Sequence, residues 1–170
     1  MSESEFSPSV PREEPLSPKK KLETIGLSAE KLRGMRILDI NAGNGTFANE
    51  KFGAKITDIN PEREEELDVL LELPDGEFDF VTATEGPLRG DPADQRVISF
   101  YKESLRLIKD DGEVRIRDPF QGVESPGSAP EGWASEEELE YLLYNEGLDV
   151  RAKRVTTKQG AAYLSLKKLA

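Results

Sequence analysis

The sequence predicts an α/β fold on a mostly parallel sheet, and three observations carry that expectation. Short β-branched apolar runs alternate with stretches of helical periodicity, the pattern of strands joined by crossover helices. The first run, Arg36-Ile-Leu-Asp-Ile40, ends beside an acid and is followed by a turn carrying Gly43 and Gly45. That is how a first strand delivers backbone to a ligand beyond its carboxyl end. The chain then closes as strand, helix, strand, tight turn, strand, so its last pair must form an antiparallel hairpin.

Taken in order, residues 1–21 are rich in Ser, Pro and Glu, lack apolar periodicity and read as a disordered tail. A single domain is expected over residues 22–170. Leu22 to Gly34 reads as a lead-in helix with Ser28 as a cap and Gly34 as a stop. Strand one follows at Arg36–Ile40. A short helix is expected over residues 46–52, then a second strand from Ala54 to Ile59. Pro61 opens the next helix, since its missing N–H costs nothing in a first turn.

Val69 to Leu71 is a brief third strand at most, Asp75-Gly76 a turn, and Phe78 to Ala83 a buried strand. Asp91 is the expected cap of a long helix whose stripe is Val97, Tyr101, Leu105 and Ile108, with Asp111-Gly112 as its end. Glu113 to Arg117 is a strand. The connection from Asp118 through Ala134 is long and rich in Gly, Pro and Ser, the kind of loop that usually carries function. Phe120 and Trp133 bracket it as candidate lid residues. Ser135-Glu-Glu-Glu138 is a capping-box pattern opening a helix through Tyr144. Leu148 to Val155 and Ala161 to Leu166 are the final strands.

Composition narrows the chemistry. No apolar run approaches the ~18 residues of a membrane span, and no hydrophobic leader opens the chain, so a cytoplasmic protein is the default. With no cysteine and no histidine, disulfides, thiolate chemistry, a Ser-His-Asp triad and the commonest zinc ligands are all excluded. Formal net charge is -11, which disfavours non-specific nucleic-acid binding. The charge is uneven: Asp58 to Asp79 is strongly acidic, whereas Arg151, Lys153, Arg154, Lys158, Lys167 and Lys168 follow Val150 with no acid among them. The bland reading of these cations is the solvated face of edge strands.

The turn after strand one needs glycine because the absence of Cβ lets ligand atoms approach the main chain. At the end of strand two, Asp58 stands where a carboxylate can accept both hydroxyls of a ribose. Asp39-Ile-Asn41-Ala42-Gly43-Asn-Gly45 resembles motif I of the class I S-adenosylmethionine-dependent methyltransferases, Asp/Glu-x-Gly-x-Gly-x-Gly, with Asn41 in place of the first glycine. Leu73-Pro-Asp-Gly-Glu-Phe-Asp-Phe-Val81, Ser104 to Val114 and Glu136 to Val150 resemble three further phrases of that family, in the family's order.

The resemblance covers Arg36 to the C-terminus. It implies a Rossmann-like three-layer sandwich of seven, or six, strands, with the last strand antiparallel beside the fifth. It implies S-adenosylmethionine as cofactor, with Asp39, Asn41, Ala42, Gly43 and Gly45 around its methionine and ribose. Asp58 would meet the ribose hydroxyls, Ile59 and Leu71 the adenine, and Thr84, at the end of strand four, would be a further cofactor-binding residue. Glu85 and Asp118 are the candidate catalytic residues, and no metal is required. The methyl acceptor is expected to be a small molecule or a protein. The segments Gly45–Asp58 and Asp58–Phe78 are shorter than the family's usual lengths. Gly43-Asn-Gly45-Thr-Phe-Ala48 also satisfies a dinucleotide fingerprint, so a nicotinamide-dependent reductase is one alternative. A non-catalytic cofactor-binding or scaffold protein on the same fold is the other.

Overall fold

Ile37, Leu38 and Ile40 are all inaccessible to solvent, so the first strand, β1 (Arg36–Ile40), is buried on both faces as an interior parallel strand is. The computed structural model describes residues 18–40, 55–59, 70–84, 92–117 and 135–169. Around β1 stand β2 (Lys55–Ile59), β3 (Phe78–Ala83), β4 (Ile108–Arg117), β5 (Val150–Thr156) and β6 (Ala162–Lys168). Among the described residues they form one six-stranded sheet in the order β2-β1-β3-β4-β6-β5. β1 pairs parallel with β2 and β3, and β3 pairs parallel with β4. β6 runs antiparallel to both of its neighbours, β4 and β5.

Alternation along the strands divides the core into two layers. Leu38, Ile40, Val81, Val114, Ile116, Leu164 and Leu166 face α3 (Gln95–Leu107) and α4 (Glu136–Asn145), whose Tyr101, Leu105, Leu139 and Leu143 join the same cluster. On the other face Ile37, Phe80 and Tyr163 pack with Leu22, Ile25, Leu27 and Leu32 from α1 (Pro18–Thr24) and α2 (Ala29–Leu32). The lead-in is therefore two short helices rather than one. The break falls at Gly26, whose φ of +68° excludes most side chains and whose added Cβ would lie 2.8 Å from the Tyr163 ring. Ser28 caps the second helix by accepting from the Lys31 amide at 3.3 Å. α1 begins at Pro18 and Lys21 is buried, so ordered structure starts before Leu22.

Three other expectations are corrected. Residues 70–72 are helical, not a strand. Their short apolar run fits either period, and the helix wins because Leu70 then drops into the core while Arg106 of α3 holds the carbonyls of Leu70 and Leu73 at 2.8 and 2.7 Å. The long helix is capped by Asp94, which accepts from the Arg96 amide at 2.8 Å. It ends at Leu107, one residue before its expected apolar stripe runs out, because Ile108 already pairs with Phe78 and opens β4. The register then shifts so that Phe80 faces Glu113, and the kink is tight at Gly112, where a Cβ would meet the Asp79 carbonyl at 3.0 Å.

α4 opens as its capping pattern predicts, with Ser135 accepting from the Glu138 amide at 3.2 Å. It also closes the sheet edge. Glu140 accepts from the Ala152 amide at 2.8 Å and Glu136 from the Arg154 amide at 3.2 Å. These carboxylates stand where a further strand's carbonyls would be, which blunts the edge of β5 against pairing.

Candidate functional site

The polar residues of one sheet face fall into a row set by register. Asp39 of β1 lies opposite Asp58 of β2 on one side and Thr82 of β3 on the other, and Thr82 lies opposite Arg115 of β4. The row crosses the sheet near the carboxyl ends of β1, β2 and β3. From β1 the chain steps to one neighbour, β2, and then crosses back to the other, β3. The carboxyl ends of β1 and β3 thus mark the point where strand order reverses, the usual ligand position in an open α/β sheet.

Asp39 is buried completely in the middle of this row. The Thr82 hydroxyl, equally buried, donates to its Oδ1 at 2.7 Å and so fixes the orientation of the carboxylate. Two residues on, at the end of β3, the Thr84 hydroxyl is buried and finds no hydrogen-bond partner among the described residues. A buried hydroxyl without a partner costs on the order of 1–3 kcal/mol, a cost that a polar ligand group would remove. The oriented acid, the hydroxyl that orients it and the hydroxyl without a partner therefore all lie toward the carboxyl ends of β1 and β3, where strand order reverses.

Of the residues named from sequence, Asp39 and Thr84 are placed here with their side chains, and β2 brings the backbone of Asp58 and Ile59 alongside β1. Leu71 is not brought to this end. It lies on the helical residues 70–72, 54% exposed, beside the turn whose Gly76 and Glu77 amides bond the carbonyls of Arg106 and Leu107, at the start of β3 and β4. That is the opposite rim of the sheet, so an adenine wall at Leu71 is abandoned. Asn41, Ala42, Gly43, Gly45, Glu85, Asp118, Phe120 and Trp133 lie outside the described residues.

Thr82 is the buried partner of Asp39 that sequence reading missed. Its signal was a hydroxyl in the middle of an otherwise apolar run, Phe78-Asp-Phe-Val-Thr-Ala83. A second buried polar group stands farther along the same face. Arg115 donates to Glu113 through Nε at 2.7 Å and Nη2 at 3.3 Å, to the carbonyls of Ile25 and Gly26 at 2.9 and 3.1 Å, and Ser165 donates to Glu113 at 2.7 Å. Burial alone would push the Glu113 carboxyl up, but the hydrogen bonds from Arg115 and Ser165 and the charges of Arg115 and Lys167 outweigh it and hold it below the usual range.

No protein-family model and no curated protein sequence matches the chain. Solved structures do. The chain is similar to the 1,6-didemethyltoxoflavin-N1-methyltransferase of Burkholderia thailandensis, a structure with bound 1,6-didemethyltoxoflavin and S-adenosylhomocysteine. The identity is 16%, the TM-score 0.53, with 89% of this chain and 80% of that one covered. It is similar to a TehB-like SAM-dependent methyltransferase of Corynebacterium glutamicum at 16% identity and TM-score 0.53, over 91% and 89% of the two chains. It is also similar to a SAM-dependent methyltransferase of Archaeoglobus fulgidus at 16% identity and TM-score 0.51, over 86% and 97%. The chain thus has the Rossmann-like α/β fold found in these methyltransferases.

Proposed function

We propose that this protein is an S-adenosylmethionine-dependent methyltransferase whose cofactor binds beyond the carboxyl ends of β1, β2 and β3. The observation that carries the reading is the buried Asp39–Thr82 pair at the reversal of strand order, with the Thr84 hydroxyl, unpartnered among the described residues, two positions after Thr82. An orphaned buried hydroxyl next to an oriented carboxylate suits a ligand that carries both donors and acceptors, as the amino-acid and ribose portions of this cofactor do. The likeness to methyltransferase structures supports the same reading at the level of fold.

The cofactor, when bound, supplies a methyl group on a sulfonium sulfur, already activated for displacement. The chain's share of the work is to bind, align and exclude water. In this reading Asp39, held by Thr82, and the Asn41–Gly45 turn with Ala42 and Gly43 take the methionine and ribose portions. Asp58 accepts from the ribose hydroxyls, Ile59 covers the adenine, and Thr84 donates to or accepts from the cofactor's polar end. Glu85 follows β3 and Asp118 follows β4, where an acceptor would approach. Either can orient an amine or hydroxyl or take its proton. The acceptor class is a small molecule or a protein side chain, since the net charge of -11 opposes a nucleic-acid substrate.

Calorimetric titration with S-adenosylhomocysteine and, separately, with NADH tests this. Saturable binding of the first and none of the second is expected. NADH binding without S-adenosylhomocysteine binding would return the reductase reading.

A further inference from the structure

On the face of the sheet that carries the polar row, but over β4, β6 and β5, lies a groove of about 290 Å³. It is lined by Glu113, Arg115, Arg151, Lys153, Val155, Tyr163, Ser165 and Lys167. Its charges are not balanced. Glu113 is consumed by Arg115 and Ser165, with Lys167 only at the outer limit of pairing, 3.9 Å away. Arg151 and Lys153 are exposed and form no ion pair among the described residues. In a chain of net charge -11, this is a local reversal of sign.

The register makes the arrangement costly. Arg151 on β5 lies directly opposite Lys167 on β6, and Lys153 lies directly opposite Ser165. Directly opposed like charges destabilise a strand pair, because their side chains stand only about 5 Å apart. Lys153 is two residues from Arg151, about 7 Å along the same face. Lys31 of α2 belongs to the same field: partial burial lowers its pKa first, and the charges of Arg115 and Lys167 lower it further against the opposing pull of Glu113. Within the groove, Glu113 is the one carboxylate facing three cations gathered around one serine. A phosphoryl group can answer them, since it carries close to two charges and three acceptor oxygens.

We propose that this groove binds a small phosphorylated molecule, its phosphoryl group seated among Arg151, Lys153 and Lys167 over Ser165. The volume is at the lower end of small-ligand sites. The surroundings select against long polyanions: just beyond β5 a second groove, which Arg151 also borders, is lined by Glu136, Glu137, Glu140 and Asp149, which would repel a nucleic acid or acidic protein extending past the edge. The site is independent of the proposed cofactor site, since its cations sit on β5 and β6 rather than at the carboxyl ends of β1 to β3.

Thermal unfolding of the full chain in sodium pyrophosphate, with ionic strength held constant by sodium chloride, is the test. The midpoint should rise saturably with pyrophosphate. Lys153→Gln and Lys167→Gln should each weaken that response about tenfold. Lys153→Arg should keep it, and Lys158→Gln, in the turn outside the groove, should leave it unchanged. Lys167→Gln should also raise the midpoint of the unliganded protein by about 1–3 °C by relieving its opposition to Arg151. No saturable response to pyrophosphate, or one that Lys158→Gln weakens as much as Lys153→Gln, overturns the proposal. So does tighter binding of an eight-nucleotide single-stranded RNA or of a phosphoserine peptide than of pyrophosphate and glucose 6-phosphate, which would assign the groove to a macromolecule.

Discussion

Glu113 and Arg115 on β4 share a sheet face with Asp39 and Thr82 on β1 and β3, yet the two groups dispose of their hydrogen bonds differently. Arg115 spends its guanidinium on Glu113 and on the carbonyls of Ile25 and Gly26, and its plane lies over the rings of Phe80 and Tyr163 at 5.2 and 4.7 Å. It ties β4 to the turn after α1, and its charge is answered within the protein. In the group around β1, Thr82 donates to Asp39, and the Thr84 hydroxyl finds no partner among the described residues. A closed polar network holds a fold together, whereas a buried polar group left unsatisfied calls for another explanation, and the proposed cofactor supplies one. Burial by itself does not tell the two apart.

The contrast predicts opposite phenotypes. The largest effect is expected at Arg115. Arg115→Met leaves Glu113 buried without its partner and should cost about 3–5 kcal/mol in urea unfolding. At a temperature where the variant remains folded, its affinity for S-adenosylhomocysteine should be close to that of the parent. Next comes Asp39→Ala. Hydrogen bonds to a charged group contribute on the order of 1.5–3 kcal/mol, so affinity for S-adenosylhomocysteine should fall roughly ten- to hundredfold by calorimetry. An unchanged affinity would place Asp39 with the scaffold.

Glu113 also gives the closed network a pH signature. Because its folded pKa is depressed, the stability it contributes is present above the ordinary glutamate value of about 4.3 and is lost as pH falls through the lowered folded value. Unfolding free energy should therefore drop between about pH 4.5 and more acidic conditions, and Glu113→Gln should flatten that slope. A slope of equal steepness in the variant would move the effect elsewhere, with Asp79 the next candidate. Its carboxyl is raised by burial but lowered overall by the Arg36 amide and by Lys109.

Much of this frame was legible in the residues. The apolar run Phe78–Ala83, the Ser135 cap and the β1 acid followed by glycines each carry a local physical reason. What escaped reading depended on partners distant in sequence. Leu70 became helical because tertiary packing decided a run too short to show its own period. Thr82 holds Asp39 across 43 residues of chain, and only the register of β1 against β3 shows it. Glu113 and Arg115 were closer to legible, since an acid and a base two apart on a strand share a face.

Smaller effects refine the site. Thr82→Val removes the donor that orients Asp39 and should weaken S-adenosylhomocysteine binding about three- to tenfold, with Thr82→Ser restoring most of it. If both variants bind equally well, the hydroxyl is structural only. Asn41→Gly is expected to change least, leaving affinity intact or improved, because the position is expected to need backbone freedom rather than a side chain. A large loss of affinity there would mean that the amide itself contacts the ligand.

The most direct test of the central claim is the thermal midpoint of the parent protein and of Asp39→Ala with increasing S-adenosylmethionine. At a cofactor concentration near a hundred times Kd, the parent should gain about 2.7 kcal/mol of stability, or roughly 5–10 °C, while the variant at the same concentration gains much less. No rise in the parent at millimolar cofactor, or an equal rise in both proteins, would contradict the assignment of this site to S-adenosylmethionine.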